Sequence, residues 1–118
     1  MNGRDVRALC LSLPEATEKA TWGDDENPGH PTFRVRDKIF VIMGTDETGA
    51  SIKSSVDEQA ALLSAFPDAV RYAAYTGRFG WVDVSFSGLP DDVLRETIEN
   101  AWARTAPKKL AAQWRAAR

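Results

Sequence analysis

The chain has 118 residues, 43% of them hydrophobic and 27% charged, with a formal net charge of −2 at pH 7. This composition is typical of one globular domain and excludes a disordered chain or a coiled coil. No apolar run approaches the roughly 20 residues that cross a bilayer, and the net charge provides no overall attraction to nucleic acid or an anionic membrane.

The N-terminus and the single cysteine are both consistent with a reducing compartment. The first residues lead directly into an amphipathic pattern without a signal-peptide core, which predicts a cytoplasmic protein. Cys10 shares a helical face with Val6, Leu9 and Leu13 and has no activating neighbour. We therefore expect a buried structural thiol.

The first half of the chain predicts one helix followed by three or four strands. Helical spacing predicts a helix over residues 3–13, with Asn2 as its N-cap and Pro14 at its end. Apolar patterning predicts strands over residues 17–22, 32–36, 39–43 and 50–53. The strand at 39–43 is apolar on both faces, which favours a central position in the sheet.

A hairpin joins the second and third of these strands. Its expected connection is Asp37 and Lys38, with a longer or bulged turn as the alternative. Alternation in the preceding strand directs Phe33 and Val35 inward and Arg34 and Arg36 outward.

The second half predicts a helix, two strands and two further helices. Ser55 and Glu58 have the spacing of a capping box, so a helix begins there and ends before Pro67. Strands are predicted over residues 70–73 and 81–86, with a glycine-framed turn over 77–80 between them. A third helix follows Pro90, and Pro107 begins the last one, with Leu110 and Trp114 one turn apart. The stripe buried by the third helix is predicted to be Leu94, Ile98, Ala101, Trp102 and Thr105.

This order predicts a single α+β domain over residues 1–118. Few parallel crossovers are available, so we expect a mainly antiparallel sheet of about five strands with helices packed on one face. In the strand at 81–86, Val82, Val84 and Phe86 share the buried face, whereas Trp81 and Asp83 point the other way.

Five segments of the chain together resemble the MmcQ/YjbR-like family. They are Leu13-Pro14-Glu15-Ala16-Thr17, Trp22-Gly23, the run from Pro31 to Phe40, Gly77-Arg78-Phe79-Gly80-Trp81-Val82, and Ala106-Pro107-Lys108-Lys109-Leu110. The resemblance implies a compact α+β domain with a CyaY-like or secretion-chaperone-like arrangement. A DNA-binding role through a double wing of strands has been suggested for this family, and the resemblance extends that suggestion to the present chain. Asp37 departs from the glycine common at its position, and the loop at 24–30 is more acidic than usual, which weakens a nucleic-acid interpretation there.

The outward sheet face carries the candidate ligand-binding residues, which are Arg34, Arg36, Lys53, Trp81 and, in the adjoining turn, Arg78. Basic groups interleaved with an aromatic ring suit a phosphate backbone and a stacked base. The competing interpretation is that the arginines pair with Asp83 and neighbouring acids while Trp81 packs under the C-terminal helix.

Lys108 and Lys109 form a second candidate contact for a polyanion. The alternative is that they, together with Arg115 and Arg118, only complement the dipole of a helix end. Trp22 and Trp102 are expected in the core, and Trp114 either covers a core edge or meets a partner.

The remaining residues form no pattern that predicts a catalytic site, a metal site or a cofactor-binding site. Asp24, Asp25, Glu26 and His30 match no metal-ligand spacing. The glycines at 77 and 80 precede a strand instead of a helix and lack the lysine-serine ending, so they form no phosphate loop. We therefore favour a non-enzymatic binding module for an anionic partner such as DNA. The alternative is a homodimeric, secretion-chaperone-like protein-interaction or adaptor domain with Trp81 and Trp114 as anchors.

Overall fold

The computed structural model describes residues 1–118 and contains four helices and six strands. In chain order they are α1 (Gly3–Ser12), β1 (Ala16–Thr21), β2 (His30–Val35), β3 (Lys38–Met43), β4 (Gly49–Ile52), α2 (Val56–Ala65), β5 (Val70–Tyr72), β6 (Val82–Ser85), α3 (Asp91–Thr105) and α4 (Lys108–Ala116). The predicted order of helices and strands is confirmed. Only the element boundaries move, by one or two residues.

The six strands form one antiparallel sheet in the order β1-β2-β3-β4-β6-β5. The third position of β3 agrees with its two-sided apolar sequence. Helices α1, α2 and α3 pack on β1, β5 and the β3–β4 pair, and α4 packs on α3. Their apolar residues join the inward residues of the strands in one core, so the opposite face of the sheet carries no helix. The α+β class with helices on one face is confirmed.

The hairpin between β2 and β3 turns one residue earlier than predicted. Val35 pairs with Lys38, so the connection is Arg36 and Asp37, whose φ angles are 49° and 66°. A two-residue connection needs positive φ at both positions, and Asp tolerates this better than Lys. The prediction that Arg36 lies on the strand and Lys38 in the turn is therefore wrong.

A bulge in β3 follows this turn. Phe33 pairs with Val41 while Arg34 pairs with Ile39, which leaves Phe40 as the extra residue. Phe40 and Val41 are both fully buried, although neighbouring strand residues normally face opposite ways.

Trp102 is the largest fully buried side chain of the core. Its indole N–H donates to the carbonyl of Pro14 at 3.0 Å, and its ring lies 5.1 Å from that of Trp114. Trp114 therefore covers an edge of the core, one of the two predicted roles. All five residues of the α3 stripe are buried, as predicted.

Trp22 does not belong to the core. It lies just after edge strand β1 with φ of 65°, and 66% of it is exposed. No strand lies beyond β1 to cover it, which makes the core assignment wrong.

Two polar details define the helix starts. Asn2 and Asp5 form a reciprocal capping box on α1. At α2, Ser55 accepts from the Glu58 N–H as predicted, but the Glu58 carboxylate accepts from Ser54 Oγ and Asn100 Nδ2 instead. Cys10 is buried, as expected, and burial raises the pKa of its thiol to about 12.

Candidate functional site

The helix-free face of the sheet is organised by an unbroken row of residues across all six strands. Directly opposed neighbours in this row are Lys19, Thr32, Ile42, Ser51, Asp83 and Arg71. We call this side the open face. Because antiparallel partners share a face, the register alone places each of these side chains on it.

A second row lies closer to the Arg36-Asp37 turn, at what we call the hairpin end of the sheet. Arg34 pairs with Ile39 on β3, and the Lys53 N–H donates to the Phe40 carbonyl at 3.0 Å. Extension of the β4–β6 register places Trp81 opposite Lys53. With strands about 4.8 Å apart, Arg34 and Lys53 lie on the order of 10 Å apart. The structure thus brings Arg34, Lys53 and Trp81 to one end of the open face.

All three guanidinium nitrogens of Arg34 already donate hydrogen bonds within the protein. Its Nε donates to Thr32 Oγ1 at 3.2 Å, one terminal nitrogen to Thr21 Oγ1 at 3.1 Å, and the other to Asp37 at 3.4 Å. Only 14% of the side chain is exposed. Arg34 therefore adds positive charge to the open face while cross-linking β1 and β2.

Arg36 lies in the turn and faces Glu15, not the open face. Its guanidinium donates to both carboxylate oxygens of Glu15, at 2.5 and 3.1 Å. These hydrogen bonds lower the pKa of the Glu15 carboxyl and raise that of Arg36. Since its charge is matched by an acid at contact distance, Arg36 adds little net charge to the hairpin end.

Lys53 lies among other cations. The pKa of its ammonium is lowered, first by partial burial and then by the positive charges of Lys38 and Arg104. Neither Lys38 nor Lys53 has a carboxylate within ion-pair distance, whereas Arg104 has Glu58 at 3.7 Å. A cation held next to like charges gains free energy when an anion binds.

Trp81 is partly exposed, and its backbone is held from the helical side. The side-chain amide of Gln59, itself buried on α2, donates to the carbonyls of Gly77 at 2.7 Å and Trp81 at 2.9 Å. The Ala73 N–H also donates to the Trp81 carbonyl. These bonds hold both ends of the glycine-framed turn before β6.

Arg78 lies in a single 3₁₀ turn, Gly77–Phe79, within this connection. Its guanidinium carbon lies 4.8 Å from the centre of the Phe79 ring, and it forms no ion pair. The arginine is exposed at the same end of the sheet as Lys53 and Trp81. It is thus a free cation stacked on an aromatic ring.

Lys108 and Lys109 are separate from this surface. They begin α4, which packs on α3 in the helical layer, and both are exposed. Their position in the first turn is unfavourable for cations in the helix dipole. The interpretation that these cations complement the dipole of a helix end is therefore wrong for Lys108 and Lys109, whereas Arg115 does occupy the last turn of α4.

The other end of the open face is polar and acidic. A shallow groove of about 280 Å³ is lined there by His30, Asp46, Thr48, Ser51 and Asp83 among others. Asp83 accepts a hydrogen bond from the Ser51 hydroxyl, and none of the arginines forms an ion pair with it. No group of three or more side chains with metal-ligating chemistry comes together in the chain. The open face therefore runs from basic at the hairpin end to acidic at the opposite end.

Comparison with known proteins agrees with this arrangement of elements. The model of the family described as YjbR matches residues 11–104, which is most of the chain. The chain belongs to the YjbR family. The resemblance seen in the five sequence segments is confirmed, and the match includes the open-face strands and the connection before Trp81.

A solved structure shares the fold of this YjbR domain. It is protein DR2400 of Deinococcus radiodurans, described as a DUF419 domain, with a TM-score of 0.75 and 20% sequence identity. The aligned part covers 87% of the YjbR chain and 77% of the Deinococcus chain. No curated protein matches the sequence. No helix of the domain combines the length and apolarity needed to cross a bilayer.

Two sets of residues in this YjbR surface were missed in the sequence. The sequence pattern places Lys38 in the turn, whereas the turn at Arg36-Asp37 makes it the first residue of β3, paired with Val35. The exposed rings of Tyr72, Tyr75 and Phe79 were assigned no role, because apolar side chains near strands are usually buried. The sequence signal that indicates this patch is the clustering of the three aromatic residues and Arg78 within the eight residues 72–79.

Proposed function

We propose that this YjbR domain is a non-enzymatic module that binds the phosphate backbone of nucleic acid, with DNA as the ligand, at the hairpin end of its open face. The observation that carries the proposal is that Lys53 on the open face and Lys38, which pairs with Val35 at the hairpin-end rim, repel each other electrostatically and have no acidic partner. Proteins position themselves on DNA chiefly through such phosphate contacts.

The predicted residues take different parts in this proposal. Lys53, Arg78 and the added Lys38 contact phosphates, and Trp81 presents its ring on the same row. Arg34 contributes charge and holds β1 to β2, whereas Arg36 is matched by Glu15. Lys108 and Lys109 stay a separate predicted contact for a longer polyanion, since they lie in the helical layer.

Binding is local because the whole molecule carries a net charge of −2. The acidic groove at the opposite end of the open face repels phosphate and so orients the strand toward the hairpin end. Affinity should accordingly fall steeply with salt, by about 0.7–0.9 log units per log unit of salt for each phosphate contact.

The test compares two doubly neutralised variants by fluorescence anisotropy with a labelled DNA duplex and an oligothymidylate of about 20 nucleotides. Lys38→Gln with Lys53→Gln should weaken binding and reduce the salt slope by about 2. Arg4→Gln with Arg95→Gln is the matched control, because both arginines are exposed on the helical side without ion pairs. Absence of binding by the unmodified protein at low salt, or equal losses in both variants, would disprove the proposal.

A further inference from the structure

The connection between β5 and β6 displays large aromatic side chains to solvent. Tyr75 is 94% exposed and Phe79 is 64% exposed, and Tyr72 just before them is more than half exposed. Half of the large hydrophobic side chains exposed in the whole protein lie in this stretch of eight residues. Such clustering marks an interaction site more often than it marks ordinary surface.

The backbone beneath these rings is held in place. Within the connection, the N–H groups of Gly77, Phe79 and Gly80 donate to the carbonyls of Ala73, Thr76 and Gly77, all at 2.9 Å. Gln59 anchors it from α2, as described above. A Cβ on Gly77 would collide with the Tyr72 ring, and one on Gly80 with the backbone at Ser54 and Ser55. Tyr75 and Phe79 therefore project from a preorganised support and not from a loose loop, whereas the Tyr72 ring covers Gly77.

Tyr75 is held in a conformation that no packing of its own side chain explains. Its φ is 63°, in the left-handed region that bulky residues rarely adopt, yet nearly all of its side chain is in solvent. Residues held in such sparsely populated backbone conformations cluster at ligand-binding sites. The backbone here presents the tyrosine outward.

The charged residues around the aromatic rings indicate which class of ligand suits this surface. Arg78 stacks on Phe79, Arg71 lies on the open face of β5, and neither forms an ion pair. Lys53 directly follows β4, which is separated from β5 by β6. Aromatic faces beside unpaired cations suit a ligand that combines flat rings with negative charge, which describes unpaired nucleotides.

We infer that the segment from Tyr75 to Trp81 is a base-stacking site that favours single-stranded nucleic acid over duplex. This inference rests on the proposed function, because phosphates held by Lys38 and Lys53 bring the bases to the rings. Bases in a duplex are already stacked on each other and cannot lie on Tyr75 or Phe79. The aromatic connection therefore adds affinity only for unpaired strands.

The experiment separates stacking from charge. Binding of an oligothymidylate of about 20 nucleotides is compared with that of an abasic strand with the same number of phosphates. The unmodified protein should bind the thymidylate more tightly. Tyr75→Ser and Phe79→Ser should each reduce thymidylate affinity by about 5- to 150-fold, the range measured for one stacked base, and leave the abasic affinity unchanged. Trp22→Ser, which removes an exposed aromatic ring at the opposite end of the sheet, should change neither affinity.

The other possible results of this experiment distinguish failure of the stacking inference from failure of the phosphate-binding proposal. Equal binding of both strands would overturn the stacking inference and leave the phosphate-binding proposal standing, whereas binding of neither would overturn both. If Phe79→Ser instead abolishes binding of a polyglutamate peptide and not of thymidylate, the patch recognises an acidic protein and the inference is wrong. Because both mutated side chains are exposed, unchanged thermal midpoints should confirm that the variants are folded.

Discussion

The guanidinium of Arg104 on α3 donates to the main-chain carbonyl of Lys53 at 3.1 Å, which holds a second cation beside the Lys53 ammonium. Burial and the charges of Lys38 and Arg104 disfavour the protonated lysine in the folded protein. The fold thus maintains a cluster of like charges that a purely structural surface would avoid.

Lys53→Gln should stabilise the protein at pH 7 while weakening its binding of DNA. The folded pKa of Lys53 lies below its unfolded value of 10.5, so the charged form destabilises the fold at neutral pH. This penalty decreases as the pH rises from the folded pKa to 10.5 and disappears above 10.5, where the lysine is neutral in both states. Urea midpoints measured from pH 7 to 11 should therefore converge for the variant and the unmodified protein. A lower midpoint for the variant at pH 7 would contradict this account of the site.

Asp37→Gly should stabilise the hairpin by about 0.5–1 kcal/mol, because glycine adopts the positive φ of this turn position without steric cost. The contact with Arg34 that it removes is long, at 3.4 Å, and highly exposed on the aspartate side, so little is lost. Loss of the acid should also strengthen DNA binding at low salt. Asp25→Gly in the exposed loop makes the same charge change and should produce neither effect. Chemical denaturation and anisotropy would measure both.

Cys10 should resist thiol reagents until the protein unfolds. With its pKa raised to about 12 by burial, the thiolate is on the order of a thousand times scarcer at pH 8 than in a free cysteine. Labelling by an aromatic disulfide reagent should accelerate across the urea transition and not before it. Rapid labelling without urea would show that α1 opens independently of the rest of the fold.

The same thiol should make stability depend on alkaline pH. The unfolded state releases the thiol proton near pH 9 while the folded state retains it to about 12, so stability falls between these values. The Cys10→Ala variant has no thiol, so its stability should fall less over this pH range than that of the unmodified protein. A comparison of the two proteins at each pH isolates it from the opposite contribution of Lys53.

Trp102→Phe should cost about 2–4 kcal/mol of unfolding free energy. The smaller ring leaves a cavity beside Trp114, and the Pro14 carbonyl loses the donor that lies 3.0 Å away. Trp22→Phe makes the same chemical change at an exposed site and should stay within about 0.5 kcal/mol. Urea denaturation followed by circular dichroism measures both, and equal effects would contradict the assigned core.

The sequence by itself determined the order of the elements, the buried stripe of α3, the central place of β3 and the family. These features depend on spacing along the chain, where periods of 2 and 3.6 residues distinguish strands from helices. The five segments indicated the family because they occur in order over nearly the whole chain, and the family match over residues 11–104 contains the first four of them.

Only the tertiary structure decided which cationic side chains have no hydrogen-bond or carboxylate partner within the protein. Arg34 is occupied because pairing of β1 with β2 brings Thr21 within reach, and Arg36 is neutralised because the turn begins one residue earlier and faces Glu15. Trp22 is exposed because β1 is an edge strand, and Tyr75 is exposed in the connection between β5 and β6. Register, strand order and turn type join residues that are distant in sequence. Since a shift of one residue reverses the face of every side chain on a strand, local patterns could not assign these contacts.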